Sequence, residues 1–278
     1  MFLGTSLAGT AAAFAMATPY AVTAAVTKAA REPFHGLKLG IASYSLRSFK
    51  LDQAIAMTRQ AGLKYITLKD VHLSMKLSPA ELQAAAKQVA DGGLTLMGGG
   101  VVYMNNNEDE IRRAFEYAKA AGFPTIVCSP DPTALDKVEK AVKEFGQRIA
   151  IHNHGPGDKR YPSSLDVLRL VKDRDERMGI CLDVGHAVRL GEDPLAVIRQ
   201  CASRLYDFHI KDVSGAVADA KPARIGQGVI DIVGVLRALV ELKFGYHVAI
   251  EYEADGDAPM PGILESANYM RGVLDTIP

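Results

Sequence analysis

The stretch IAIHNHGPGDKRYP, residues 149–162, sets an apolar run against two histidines and a glycine-proline turn. Ile149-Ala150-Ile151 stops at His152-Asn153-His154, and the chain then turns on Gly155-Pro156-Gly157. With period two, both imidazoles lie on the same side of a strand. Side chains so placed are metal ligands, general bases or polar residues at a solvated edge. Which they are depends on whether other strands end in the same way.

They do. Short apolar runs at 38–43, 65–68, 95–98, 125–128, 148–152, 179–183, 205–209 and 248–252 each stop at polar or glycine residues. Between and after them, segments 51–61, 79–90, 108–121, 132–145, 164–172, 194–203, 230–242 and 263–274 carry apolar residues at helical spacing, as Ile230, Val233, Leu236 and Leu239 do. Ser78-Pro79 ahead of Glu81 and Asp193-Pro194 read as helix starts. Gly62, Gly122 and Gly245 fit helix-to-strand turns. Alternating β and α elements imply a parallel sheet. Eight such units predict an α/β fold of one class, a single (β/α)8 TIM barrel spanning 37–278. No GxGxxG follows the first strand, which argues against a dinucleotide fold.

Lys+Arg and Asp+Glu both number 32, so no overall positive field exists to hold a polyanion, and no nucleic-acid partner is expected. Residues 1–31 differ from the rest, being Ala/Thr-rich and uncharged until Lys28. The run 2–17 has the length of a signal-peptide apolar region and is short for a stable membrane span. It resembles the part of a twin-arginine export signal that follows the arginine pair, although the pair itself is absent. The expectation is export to the periplasm, with a cytoplasmic protein and an N-terminal core helix as the alternative. Cys128, Cys181 and Cys201 show no CxxC spacing and read as buried free thiols.

In a barrel, chemistry collects where strands end and βα loops begin. Those ends carry Tyr44, Lys69, Tyr103, His152, His154, Asp183, His186, His209, Lys211, Glu251 and Glu253. Of the 7 histidines, His35 and His247 fall elsewhere and His72 lies just beyond the second strand. His152, Asp183, His209 and Glu251 stand out as one ligand set for a divalent transition ion. The alternative is four separate, hydrogen-bonded buried residues. His154, Lys211 and Glu253 lie two residues beyond a ligand, nearer the mouth, and Glu253 is either a reacting group or a rim residue bonded to a backbone amide. Lys211 either polarises a substrate oxygen or pairs with Asp212; Lys69 either reaches substrate or snorkels to solvent. Tyr44 and Tyr103 complete the candidate substrate contacts. Gly226-Gln227-Gly228 reads as a helix-entry turn.

IHNHG at 151–155, CLDVGH at 181–186, FHIKD at 208–212 and IEYE at 250–253 together resemble the sugar phosphate isomerase/epimerase superfamily. Its xylose isomerase-like barrels also include apurinic endonucleases and inosose dehydratases. The resemblance covers 37–278 and implies one divalent ion (Mn, Co, Zn, Fe, Ni or Mg) at His152, Asp183, His209 and Glu251. It also implies removal of a proton α to a carbonyl of a sugar or keto-sugar, with Lys211 stabilising the enediolate. Reprotonation makes an isomerase or epimerase; expulsion of a β-leaving group makes a lyase or dehydratase, for example on 3-keto-glycosides. A non-catalytic sugar-binding barrel is the remaining reading. One departure matters: epimerases usually carry Glu where this chain has His152, and a metal-bound imidazole is a poor base. Proton transfer then falls to Glu251, His154 or His186. Apurinic endonucleases need further histidines on the second and third strands, where only His72 is near. Nothing in the sequence addresses oligomeric state.

Overall fold

The computed structural model describes residues 1–2 and 33–278. Residues 3–32, and with them nearly all of the expected export segment, lie outside the described residues. Strands β1 (Lys38–Ala42), β2 (Tyr65–Leu68), β3 (Thr95–Met104), β4 (Thr125–Pro130), β5 (Arg148–His152), β6 (Met178–Asp183) and β7 (Leu205–Ile210) are parallel neighbours in chain order. A small antiparallel ribbon, β8 (Asp212–Val213) with β9 (Pro222–Ala223), follows, and β10 (His247–Ile250) closes the barrel between β7 and β1. The helices α1 (Leu51–Gln60), α2 (Pro79–Asp91), α3 (Glu108–Ala121), α4 (Leu135–Phe145), α5 (Ser164–Val171), α6 (Val184–Arg189), α7 (Pro194–Cys201), α8 (Ile232–Glu241) and α9 (Met260–Thr276) join the strands. Among the described residues, no helix is long and apolar enough to cross a membrane.

Two layers of packing explain why these runs are strands. Leu39, Ile41, Ile66, Leu68, Ile126, Ile149, Ile151, Ile180, Leu182, Phe208, Ile210, Val248 and Ile250 belong to the main apolar core shared with the helices. Each large aliphatic side chain buried there contributes roughly 1.5–3 kcal/mol. The alternate residues Val127, Ala150 and Cys181 form a separate small cluster. Small residues there leave room for polar side chains at the two ends of the barrel. Start signals act as expected: the Ser78 hydroxyl accepts from Glu81 N, and the Asp193 carboxylate accepts from Leu195 N with proline at the first helical position.

Three local expectations need correction. The third strand does not end in its glycines; β3 runs on to Met104, with its register against β4 shifting between Gly99 and Val102. A Cβ at Gly100, where φ is +143°, would sit 1.9 Å from Val127 O, so the bare backbone lets β3 press onto β4 and carry Tyr103 to the mouth. Before β10, the left-handed residue is Lys243 (φ 51°) rather than Gly245. Residues 184–189 form a helix that is absent from the expected helical segments, because six residues are too few to show a period. The cysteines, as expected, are free and buried.

Candidate functional site

The barrel's stagger assembles the site. Ladder partners are His152 with Cys181, Asp183 with His209, and His209 with Ala249. Asp183 therefore lies two residues past the level of His152, His209 is level with Asp183, and Glu251 lies two residues past the level of His209. Glu251 follows β10 directly and donates its N–H to Ile210 O at 3.0 Å. Ligand atoms of His152, Asp183, His209 and Glu251 all lie within 4.8 Å of one another, and all four residues are buried. The ring nitrogens His152 Nε2 and His209 Nδ1 face each other at 3.1 Å. His209 Nδ1 is also 3.1 Å from Glu251 Oε2, and His152 Nε2 is 3.7 Å from Asp183 Oδ2. Two imidazole nitrogens and two carboxylate oxygens, turned inward at this separation, are a donor set that fits a divalent transition ion.

Lys211 occupies the centre of the electrostatics. Its Nζ lies 2.9 Å from Asp183 Oδ2, 2.9 Å from Glu251 Oε2 and 3.0 Å from Glu253 Oε1. The approach to Asp183 is a charge contact without hydrogen-bond geometry. Gly185 makes this placement feasible, since a Cβ there would meet the Lys211 stem at 2.5 Å. Burial opposes the Lys211 charge, but the three carboxylates hold its pKa well above the usual value. Burial likewise opposes the charges of Asp183 and Glu251, yet Lys211 and the neighbouring histidines hold both well below the ordinary carboxylate range. The two local alternatives do not hold: Lys211 does not pair with Asp212, and the Glu253 carboxylate pairs with Lys211 rather than with a backbone amide. Asp212 instead accepts from the N–H groups of Gly226, Gly228 and Ile230, which pins the Gly226-Gln227-Gly228 turn.

The two ligand histidines differ sharply. Burial pushes His152 down to about 3, so it is neutral. Burial also works against His209, but Glu251, Asp207 and Asp183 outweigh it and raise His209 to about 9. Below that pH His209 carries a proton that an incoming ion must expel. Ion affinity is therefore expected to rise about tenfold per pH unit through neutrality and to flatten above the His209 pKa. Calorimetric titration in buffers of different ionisation enthalpy would reveal the released proton; a pH-independent affinity would contradict the assignment.

Around this cluster lies a cavity of about 240 Å³, lined by Tyr44, Lys69, Tyr103, His154, His186 and Glu253 as well as by ligands. All the candidate substrate contacts therefore face one space, large enough for a monosaccharide-sized ligand. His154 lies beside His152 with ring centroids 4.5 Å apart and ring planes tilted by 53°, and its Nε2 is 3.2 Å from Tyr103 Oη. His186 sits on α6, whose first turn is capped when Asp183 Oδ1 accepts from His186 N at 2.9 Å. Burial lowers the pKa of both His154 and His186, leaving them neutral near pH 7. Lys69 is half-buried, with Nζ 3.8 Å from Asp70 and 6.0 Å from the Tyr44 ring, so it lines the mouth rather than extending freely into solvent. His72 bonds Ser43 Oγ and Phe49 O and does not reach the ligand set.

Two contributors were missed from sequence. Asn153 Oδ1 accepts from Asp183 N at 2.8 Å, while its Nδ2 donates to Asp183 O at 3.1 Å. That double bond between β5 and β6 fixes Asp183 against His152; an amide flanked by two inward histidines was the available signal. Asp207 lies beneath His209 in the barrel, and only its polarity inside an apolar run marked it.

The family described as Xylose isomerase-like TIM barrel matches residues 55–273. The chain belongs to that family. It is 27% identical over 138 residues to an inosose dehydratase of Lacticaseibacillus casei, covering 44% of this chain and 46% of that protein. It is 28% identical over 142 residues to the rhizopine catabolism protein MocC of Rhizobium meliloti, covering 46% and 43%. The chain thus spans about half the length of the curated relatives it matches. Among solved structures, L-ribulose 3-epimerase aligns with a TM-score of 0.69 at 16% identity, over 86% of this chain and 95% of that one. The 3-keto-D-glucoside 4-epimerase YcjR from E. coli aligns at 0.68 with 14% identity, over 85% and 99%. At these identities the likeness establishes the shared fold.

Proposed function

We propose that this barrel is a divalent-metal-dependent enzyme of the sugar isomerase/epimerase type, abstracting a proton α to a carbonyl of a sugar or keto-sugar. The observation that carries the proposal is the convergence of His152, Asp183, His209 and Glu251 on one point, with Lys211 ion-paired to the carboxylates and two neutral imidazoles at the mouth. A divalent ion held there would polarise the substrate's carbonyl and hydroxyl oxygens. Glu251, kept ionised by Lys211 and His209, is the strongest candidate to take the proton. The Lys211 ammonium stabilises the negative charge that develops on the enediolate oxygen. His154 and His186 return or relay the proton.

A second reading, a lyase or dehydratase acting on 3-keto-glycosides or related keto-sugars, is favoured by two observations. His152 stands where an epimerase would place a second carboxylate base, leaving Glu251 as the one carboxylate in the ligand set able to act on a substrate face. The similarity to an inosose dehydratase points the same way. A non-catalytic sugar-binding barrel is a third reading, supported if the site stays metal-free and inactive.

Incubation with candidate keto-sugars in deuterium oxide, with and without Mn²⁺, Co²⁺ or Zn²⁺, separates these readings. Deuterium at the α-carbon without loss of any group supports the isomerase. Release of water or an aglycone with a new enone absorbance supports the lyase. Turnover that survives exhaustive chelation would rule out both. Export of the chain to the periplasm is a further part of the proposal, tested by N-terminal sequencing of protein recovered from that compartment.

A further inference from the structure

Beneath the ligand set, four side chains cross the inside of the barrel, and the chemistry proposed above uses only the last of them. Thr67 Oγ1 lies 2.9 Å from His247 Nδ1. His247 Nδ1 lies 3.9 Å from Asp207 Oδ2, and Asp207 Oδ1 lies 3.7 Å from His209 Nε2. All four residues are buried. The line is sterically determined at its far end: a Cβ at Gly40 would sit 2.3 Å from His247 Nε2, so the imidazole fills the space that glycine leaves. Cys181 Sγ–H donates weakly to Asp207 Oδ1 at 3.7 Å.

The two nitrogens of His209 face different surroundings. Nδ1 looks toward His152 Nε2 and Glu251 Oε2, whereas Nε2 has no hydrogen-bond partner among the described residues and faces Asp207. Asp207 Oδ2 is equally unpartnered. A buried carboxylate oxygen and a buried ring nitrogen left without partners are both costly. Asp207 Oδ1, the oxygen nearer Nε2, lies 3.7 Å from it, about half an ångström beyond hydrogen-bond range, which a small side-chain rotation closes. A neutral imidazole that gives its Nδ1 lone pair to an ion carries its proton on Nε2, and Asp207 is the acceptor waiting there.

We propose that Asp207 is a positioning residue for His209: it accepts the Nε2–H, fixes the tautomer that turns Nδ1 to the ion, and is itself braced across the barrel by His247 and Thr67. This rests on the reading of the upper cluster as a metal centre. The role is distinct from that of the ligands, since Asp207 touches neither ion nor substrate.

The test is Zn²⁺ binding to the full chain, read by competition with a chromophoric chelator, together with ¹⁵N NMR of the histidine rings. The expected results are three. In the wild-type protein, His209 is ligated through Nδ1 and protonated on Nε2. Asp207→Ala weakens Zn²⁺ binding by about 10–100-fold. Asp207→Asn, whose amide oxygen still accepts, recovers most of that loss. Ligation of His209 through Nε2 would overturn the proposal, and needs no variant to observe. So would an Asp207→Ala affinity within about twofold of wild type, with the metal-centre reading left intact. Failure of the wild-type protein to bind any divalent ion would instead sink the metal-centre reading, and this proposal with it.

Discussion

In the Glu251→Gln protein, α-proton exchange on a keto-sugar is expected to fall by about 10³-fold or more. Glutamine keeps the shape of the side chain and removes the charge, and two functions depend on that charge. Oε2 faces His209 Nδ1 at 3.1 Å, where it helps form the ligand set. The same oxygen lies 2.9 Å from Lys211 Nζ, which keeps the carboxylate ionised despite its burial. An ionised carboxylate at the cavity wall is also the group best placed to take a proton. The fold is expected to survive, because Lys211 retains Asp183 and Glu253 as partners. The measurement is the rate of deuterium wash-in at saturating metal, with circular dichroism confirming the fold. A loss smaller than about tenfold would remove Glu251 from both roles, because general-base contributions alone are of order 10²–10⁴.

Lys211→Met should act on stability as strongly as on rate. The ammonium is fully enclosed and stands between Asp183 and Glu251, with Glu253 just outside. Methionine fills much the same volume but leaves two buried carboxylates without their counter-charge. Breaking a buried ion pair by deleting one partner destabilises by about 3–5 kcal/mol, and a loss of that order is expected in the metal-free protein. A divalent ion supplies replacement charge to the same two carboxylates. Saturating Mn²⁺ or Zn²⁺ is therefore expected to recover most of the lost stability. Activity is not expected to recover, since removing one electrostatic stabiliser of a developing oxyanion typically lowers kcat by about 10²–10³. Urea denaturation with and without the ion, beside kcat for the same samples, checks both halves. Equal destabilisation in the presence and absence of metal would show that the ion and Lys211 do not share these carboxylates.

Much of the site was legible because burial and polarity conflict in a parallel strand. His152, Asp183, His209 and Glu251 each follow an apolar run, and an inward polar residue at such a place is there to be bonded. Lys211 was legible as a residue but not as a charge: sequence neighbours offered Asp212 as its partner, while the three carboxylates it meets come from β6 and the segment after β10. Asn153 was passed over for a similar reason, since its partner Asp183 lies on an adjacent strand, and Asp207 because its position inside an apolar run looked like a spacer. The true length of β3 was hidden because glycine is a turn signal in sequence, although here it permits close contact between two strands.

By itself, the order of residues determined the alternation of strands and helices, the number of barrel strands, and the side of each strand that carries polar ends. Those properties follow from period and local backbone preference, which need no distant partner. Tertiary structure alone decided which polar ends meet. Ring closure by β10 between β7 and β1, and the register that pairs His152 with Cys181 and Asp183 with His209, bring ends far apart in the chain within bonding distance. Register between strands is a property of the closed sheet rather than of any one segment. That register gives His209 a cluster of prospective ligands on one side and the buried Asp207 carboxylate on the other.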